Sequence, residues 1–351
     1  MTDLLPPVAV TDLDQVLLAT APQVWDGLRG QSIFLTGGTG FVGKWLLECL
    51  IHANTALGLS LSVSVLTRRP NAFDAASPHL ARSPIIKLVQ GDIADFAFPA
   101  GTFSSVLHAA LPVAPPQLGD AAPYKLAAAG TMRVCEFARF AGTKRMLHVS
   151  SGAVYGPRDD DAPLSEQSAW TGGETVNGYT RAKRASEAVV QDAWPFEVVI
   201  ARCFAFTGPY LLPASGSAAA DFVARAAKGL DIAVNGTGDA VRSYQYASDM
   251  ARWLLTCLVM GHPGKAYNVG SDMPVTIGQL AQRVSAVVGA VNRVRFAGRV
   301  TSGLAGNHYV PDLQRAASEL GLVNCVDLND GILRTLHWHA SAAQPLSSVS
   351  P

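Results

Sequence analysis

Residues 36–43 read TGGTGFVG. An apolar run, SIFL (32–35), leads into them, and a stretch of helical period, FVGKWLLECLIHA (41–53), leads out. Gly38, Gly40 and Gly43 satisfy a G-x-G-x-x-G spacing, and Gly37, Gly40 and Gly43 a G-x-x-G-x-x-G spacing. A chain that turns from strand to helix in so few residues needs small residues, for the tight bend and for close packing of helix on strand. The N–H groups of the helix's first turn then face outward at the positive end of its dipole, a seat for a pyrophosphate. The loop therefore demands a βαβ unit. It makes Gly37, Gly40, Phe41, Val42 and Gly43 candidates for holding a dinucleotide.

The pattern repeats downstream. LSVSVLTRR (61–69), IIKLVQGDI (85–93), SSVLHAA (104–110) and RMLHVSS (145–151) read as further buried strands, with a helix over about 123–141 before the last. Apolar strands alternating with helices mean a parallel sheet covered on both faces. Residues 1–30 read as an arm and one helix, capped by Thr11 and broken at Pro22. From about 200 the rhythm changes. FEVVIARCFAFTGPY (196–210) runs from a strand into a Gly-Pro loop. VRSYQYASDMARWLLTCLVM (241–260) gives a short strand and then a helix capped by Ser248 or Asp249. AYNVGS (266–271) is another short strand, and a helix follows over about 276–288. The expected fold is α/β, a doubly wound parallel sheet formed mainly by 31–200. A smaller mixed lobe formed mainly by 201–340 is interleaved with it, and 341–351 form a loose tail.

With 49% apolar and 15% charged residues, the 351-residue chain can bury a large core. Lys plus Arg equals Asp plus Glu, at 27 each, so no global field draws it to nucleic acid or an anionic membrane. Any anion must be recognised locally. No apolar run reaches the ~18 residues of a membrane span, and MTDLLPPVAV lacks the basic start of a signal peptide. Cys49, Cys135, Cys203, Cys257 and Cys325 are scattered and form no C-x-x-C pair, so neither a disulfide framework nor a metal site is expected. A reducing, cytoplasmic setting fits.

A dinucleotide site usually carries an acid at the end of its second strand, to hold the adenosine ribose. Here that place reads Thr67-Arg68-Arg69. Two guanidiniums suit a ribose 2′-phosphate, because arginine grips phosphate with two parallel bonds. The expected cofactor is NADP or NAD, with these arginines favouring NADP. Asp92, followed by Ile93, is placed to accept a bond from the adenine amino group. His108, Ala109 and Ala110 would line the pyrophosphate and nicotinamide side.

NGYTRAKRASE (177–187) puts Tyr179 and Lys183 four apart, on one helix face. A free phenol titrates near ~10, too high for a base at neutral pH. A neighbouring ammonium and the positive nicotinamide both favour the phenolate and lower that value. Tyr179 could then move a proton on a sugar hydroxyl while hydride passes to nicotinamide, with the Ser151 hydroxyl holding the same oxygen.

TGGTGFVG, GDI, HAA, VSSGAVYG, YTRAK, ARCFAFTGP, VRSYQYASDMA and YNVG together resemble the extended short-chain dehydrogenase/reductases, and among them the nucleotide-sugar epimerase/dehydratase group, over about residues 30–340. The resemblance implies a Rossmann-type domain, a smaller lobe for a nucleoside-diphosphate sugar, and a homodimer through a four-helix bundle of the helices near 123–141 and 178–193. It makes Ser151, Tyr179 and Lys183 the catalytic set. Arg242 corresponds to the arginine that clamps the substrate diphosphate, and Tyr309 lies near where the family closes over the nucleotide. Two positions depart from the pattern. Family 4,6-dehydratases carry an Asp-Glu pair after the catalytic Ser or Thr, where this chain has Gly152 and Ala153. The family usually has Asn where this chain has Ala205.

Gly152 and Ala153 cannot carry protons, so redox chemistry at one carbon is expected in place of dehydration. An NDP-sugar 4-epimerase ranks first, a 4-keto-sugar reductase consuming NADPH second, and a dehydratase with displaced acids third. The alternative of another class is a nicotinamide-binding sensor or scaffold; such proteins typically lose the Tyr or the Lys, and this chain retains both. Cys203 and His148 read as core residues. His337-Trp338-His339 reads as packing, since the spacing does not place both histidines on one helix face.

Overall fold

The structure is a computed structural model that describes residues 4–111, 122–158, 160–173, 176–289, 293–298 and 308–343. Helices α1 (Val10–Ala19) and α2 (Pro22–Leu28) lead to β1 (Ser32–Thr36), α3 (Phe41–Leu57) and β2 (Ser62–Thr67). Two short helices, α4 (Pro70–Ala76) and α5 (Pro78–Ala81), precede β3 (Ile86–Gln90) and β4 (Ser105–His108). Then come α6 (Ala122–Phe140), β5 (Arg145–Ser151), α7 (Gly178–Val190), β6 (Glu197–Cys203) and β7 (Ala205–Thr207). The remainder is α8 (Ala218–Ala227), β8 (Ile232–Val234), β9 (Val241–Arg242), β10 (Tyr244–Tyr246), α9 (Ala247–Met260), β11 (Ala266–Val269), β12 (Val275–Thr276) and α10 (Ile277–Val287). It ends with β13 (Val294–Phe296), β14 (His308–Tyr309), α11 (Gln314–Leu320) and α12 (Leu328–Ala343).

Seven strands form one sheet in the order β11-β6-β5-β4-β1-β2-β3, every pair parallel. The order reverses between β1 and β4, the switch point of a doubly wound, Rossmann-type sheet, and the crevice beyond the strand ends there is where such sheets bind ligands. Successive residues of β1 serve opposite faces. Ile33 and Leu35 join the core under α3 and α9, while Phe34 joins the aromatic cluster of Phe96, Phe103 and Phe137 on the other face. That is why these strands read as unbroken apolar runs. β11 lies within the stretch expected to build the second lobe, yet it returns to the large sheet as an edge strand beside β6. The smaller lobe packs α8, α10 and α12 around Phe222, Ile232, Tyr244, Leu280 and Ile332.

Pro22 does break the N-terminal segment, as the first residue of α2. Two expected caps do not form. Ala9, with no side-chain bond, precedes α1, and Thr11 lies inside it. Tyr246 precedes α9, so Ser248 and Asp249 fall within its first turn. Tertiary partners claim the polar side chains instead. Asp249 is 2% exposed; it accepts bonds from the Cys325 and Val326 amides at 2.7 and 3.0 Å and pairs with buried Arg252 at 3.0 Å. In the His337-Trp338-His339 run, Trp338 is buried and donates to the Pro6 carbonyl at 3.1 Å. The tail beyond Ala343 lies outside the described residues.

Asp249→Ala strands two amides and a buried guanidinium at once. It should lower unfolding stability by about 3–5 kcal/mol, read as a shift in the urea midpoint with the slope unchanged.

Candidate active site

The glycine loop is built against the end of β4. Gly37 has φ +75°, and a Cβ on it would sit 2.7 Å from the Ala109 carbonyl carbon and the Ala110 nitrogen. The Ala109 amide donates to the Thr36 carbonyl, and the Ala110 amide to the Thr36 hydroxyl, both at 3.2 Å. A Cβ on Gly43 would lie 2.3 Å from the Gly37 oxygen, so α3 rests directly on the loop. Gly40, which precedes α3, has only the Gly37 oxygen within 3.4 Å of its own Cβ position, and no side chain caps the helix. Bare backbone with unshared first-turn amides fits a dinucleotide pyrophosphate.

The remaining cofactor candidates divide in two. His108 is wholly buried, with Nδ1 2.8 Å from the Thr36 hydroxyl and Nε2 3.1 Å from that of Thr131. Burial, and then Lys183, push its pKa down to about 3, so it is a neutral strut beneath the loop. Arg68 and Arg69 are exposed at the end of β2, with the Arg69 amide donating to the Thr67 hydroxyl at 3.3 Å. Arg68 stands 3.9 Å from Asp92, whose other oxygen accepts from the Ala94 amide at 3.0 Å. The cation and the acid thus share one open patch, and Ile93 beside them is buried in the core.

β5 delivers Ser151 to the same crevice, where its hydroxyl accepts the Ala153 amide at 3.2 Å and caps a single turn, Gly152–Tyr155. α7 starts where the Asn177 side chain accepts the Thr180 amide at 2.9 Å. Its four-residue stripe continues one step beyond what the sequence signalled, through Tyr179 and Lys183 to Glu187. Glu187 is 6% exposed and accepts from Ser150 and from both sides of the Arg202 guanidinium, at 3.1 and 2.8 Å for the latter. Helix and sheet are pinned there, directly behind the site.

Lys183 donates to the Val149 carbonyl at 2.8 Å, and burial lowers its pKa to about 8. Tyr179 is 49% exposed, yet burial of its phenol raises its pKa, opposed by hydrogen bonding to Ser151. The sequence led us to expect the ammonium to lower it. The ammonium is instead occupied by a backbone oxygen and is itself desolvated.

Tyr309 closes the other side. Its ring lies 4.6 Å from that of Phe204, its hydroxyl donates to the Cys203 carbonyl at 3.5 Å, and burial followed by Ser151 governs its pKa, with a net rise. β14 pairs with β9, which sets Arg242 beside it, the guanidinium 5.8 Å from the ring. A Cβ on Gly152 would meet the Phe204 ring and the Tyr309 hydroxyl at 2.7 Å. Cys203 is buried, with its pKa pushed up to about 12, and stays a thiol. Ala205 lies in β7 opposite Tyr244 and packs on the core of the small lobe. Nothing in the sequence marked Phe204, Arg202 or Glu187, because their roles come from contacts between elements.

Residues 33–270 match the NAD dependent epimerase/dehydratase family. A dTDP-glucose 4,6-dehydratase of an Actinoplanes species is 28% identical over 324 residues, spanning 88% of this chain and 97% of the relative. UDP-glucuronic acid decarboxylase 1 of Xenopus tropicalis is 25% identical over 317 residues, 87% of this chain and 71% of the relative. Among solved structures, UDP-glucose 4-epimerase of Thermotoga maritima has a TM-score of 0.75 at 20% identity, covering 89% of this chain and all of that one. A Streptomyces venezuelae dTDP-glucose 4,6-dehydratase with NAD bound has a TM-score of 0.73 at 24% identity, covering 88% of this chain and 97% of that one. Both share the fold.

Gly37→Ala adds strain and a clash with the Ala109–Ala110 peptide, and should weaken NAD or NADP binding by about tenfold or more, read by calorimetric titration. Lys183 gives a second expectation. Its pKa falls from 10.5 to about 8 on folding, so between those values the unfolded chain holds more protons. Its contribution therefore improves as pH rises through that window and is at its least favourable below pH 8. Relative to Lys183→Met, the wild-type chain should gain on the order of 2 kcal/mol between the two ends, measured by urea unfolding at each pH.

Proposed function

The chain belongs to the NAD dependent epimerase/dehydratase family, and on that premise we propose that it is a nucleotide-sugar oxidoreductase acting at a single sugar carbon, an NDP-sugar 4-epimerase. The observation that carries this reading is the identity of the two residues after Ser151. Dehydration needs an acid at the departing hydroxyl and a base at the neighbouring C–H. Gly152 and Ala153 supply neither. The groups that shift the two phenols are Ser151, Cys203, Arg242 and the phenols themselves, with no carboxylate among them. One exchangeable proton at one oxygen is what remains, and reversible oxidation of a carbinol needs no more. The names of the curated relatives, a dTDP-glucose dehydratase and a UDP-glucuronate decarboxylase, support a nucleoside-diphosphate hexose as substrate.

Each side chain then has a task. The glycine loop would hold a nicotinamide dinucleotide, which would supply the hydride acceptor and donor. Tyr179, whose phenolate the positive charge of a bound oxidised nicotinamide would favour against the rise that burial imposes, would accept the proton of the sugar hydroxyl and later return it, with Ser151 holding that oxygen in line. Arg242 presents a planar fork suited to the diphosphate. Epimerisation follows if the ketone presents its other face before the hydride returns to the carbon. A second reading, an NADPH-consuming 4-keto-sugar reductase, draws on Arg68 and Arg69, exposed where a ribose 2′-phosphate would lie. The retained pair of Tyr179 and Lys183 favours an enzyme over a sensor or scaffold.

The test is a product assay with UDP-, dTDP-, GDP- and CDP-hexoses and their 4-keto forms, with NAD(H) or NADP(H) added. A product of unchanged mass and inverted C4 is expected. Gain of two hydrogens with NADPH consumed would select the reductase, and loss of water would refute the argument from Gly152. Tyr179→Phe should cost about 10²–10⁴-fold in kcat.

A further inference from the structure

The empty-handed Gly152 hides a substitution of another kind. No side chain fits there, because the Phe204 ring edge and the Tyr309 hydroxyl already fill the place of its Cβ, each at 2.7 Å. The hydroxyl thus stands where the first atom of a side chain at 152 would begin. It is firmly placed. The ring is packed on Phe204, β14 is paired with β9, and the next residues exchange backbone bonds with Leu164, which donates to Val310 and accepts from Asp312 at 2.9 Å each. The hydroxyl also bonds Ser151, and because that bond lowers its pKa the phenol oxygen is the acceptor there, which leaves the phenol proton to a second partner. Its acceptor, the Cys203 carbonyl, is 3.5 Å away, well beyond the usual O–H···O distance of about 2.7 Å. A phenol held this closely, its proton engaged only by that long bond, can turn its donor to a ligand.

We propose that Tyr309 is a second catalytic hydroxyl, one that keeps its proton and donates a hydrogen bond to the substrate oxygen held by Ser151, while Tyr179 alone exchanges a proton. The inference rests on the single-carbon reading above. In the oxidative step the carbon–hydrogen bond breaks and its electron pair leaves as hydride to the nicotinamide. The hydroxyl proton passes to the Tyr179 phenolate, and the carbon–oxygen double bond forms. The Tyr309 O–H bond stays intact throughout. Its hydrogen bond strengthens as charge gathers on the oxygen, which is how a fixed donor lowers a barrier. The two environments suit this division. Burial raises the pKa of both phenols, but Tyr179 is half exposed and can trade protons with solvent, whereas Tyr309 is partly buried against Phe204 and is held the more strongly in its protonated form.

The experiment takes the full-length chain and whichever UDP- or dTDP-hexose, or 4-keto form, it transforms. It compares Tyr309→Phe, Gly152→Ala and the double variant. Tyr309→Phe keeps the ring packing, so its melting midpoint and its affinity for the corresponding nucleoside diphosphate should stay at wild-type values. Its kcat should fall about 10²-fold, with KM within about threefold. Gly152→Ala should act through the same hydroxyl by displacing it, so the double variant should lose no more than Tyr309→Phe alone. A kcat for Tyr309→Phe within twofold of wild type, or losses that multiply in the double variant, would overturn the inference. The product's identity judges the epimerase reading separately: a dehydrated product would refute that reading while the variant rates still decide the role of Tyr309. Failure of the wild-type chain to transform any of these sugars would overturn both.

Discussion

Everything in the crevice is referred to one contact, the peptide of Ala109–Ala110 lying where a side chain on Gly37 would be. It brings the ends of β1 and β4 together at the point where strand order reverses, and two bonds to Thr36 lock it. His108 then fills the space beneath, bonded on both nitrogens and unable to take up a proton at ordinary pH. Because backbone touches backbone, the loop has almost no freedom to adjust. α3 is set at a fixed height by the second contact of this kind, at Gly43. The missing side chains are what make the surface both close-packed and bare.

The reactive helix is fixed by a different device. Glu187 gathers Ser150 from β5 and Arg202 from β6, and Arg202 also lies 4.9 Å from the face of the Tyr155 ring. Tyr155 in turn donates to Asn268 at 2.6 Å, reaching β11. One carboxylate on α7 is thereby tied to three neighbouring strands. Buried charges are tolerated when paired and fully bonded, and here their strictness of geometry holds Tyr179 and Lys183 over the strand ends.

Much of this was legible in the sequence where the governing physics is local. The strands announced themselves because burial on both faces leaves no polar alternation, and the loop because only glycine satisfies its contacts. Ser151, Tyr179 and Lys183 could be named from order and spacing. The caps were misread because α1 already begins before Thr11, and because Asp249 serves distant partners, accepting from the Cys325 and Val326 amides. The short helices behind Pro70 and Pro78, and those over Ala218–Ala227, Gln314–Leu320 and Leu328–Ala343, were not foreseen. Gly152 could be read as lacking an acid, but not as a place already filled, since Phe204 and Tyr309 reach it from strands far apart in the chain.

The clasp between the two ends of the described chain has a consequence in time. Trp338 bonds the Pro6 carbonyl, 332 positions away, and Arg334 pairs with Asp12 across 322. A chain emerging from the ribosome at about 5–20 residues per second holds α1 in waiting until α12 has been made. The core beneath α9, which includes Val8, Leu13 and Trp338, therefore stays open along one side until α12 emerges. Its closure must follow the synthesis of α12, at the slow pace that long-range contacts impose.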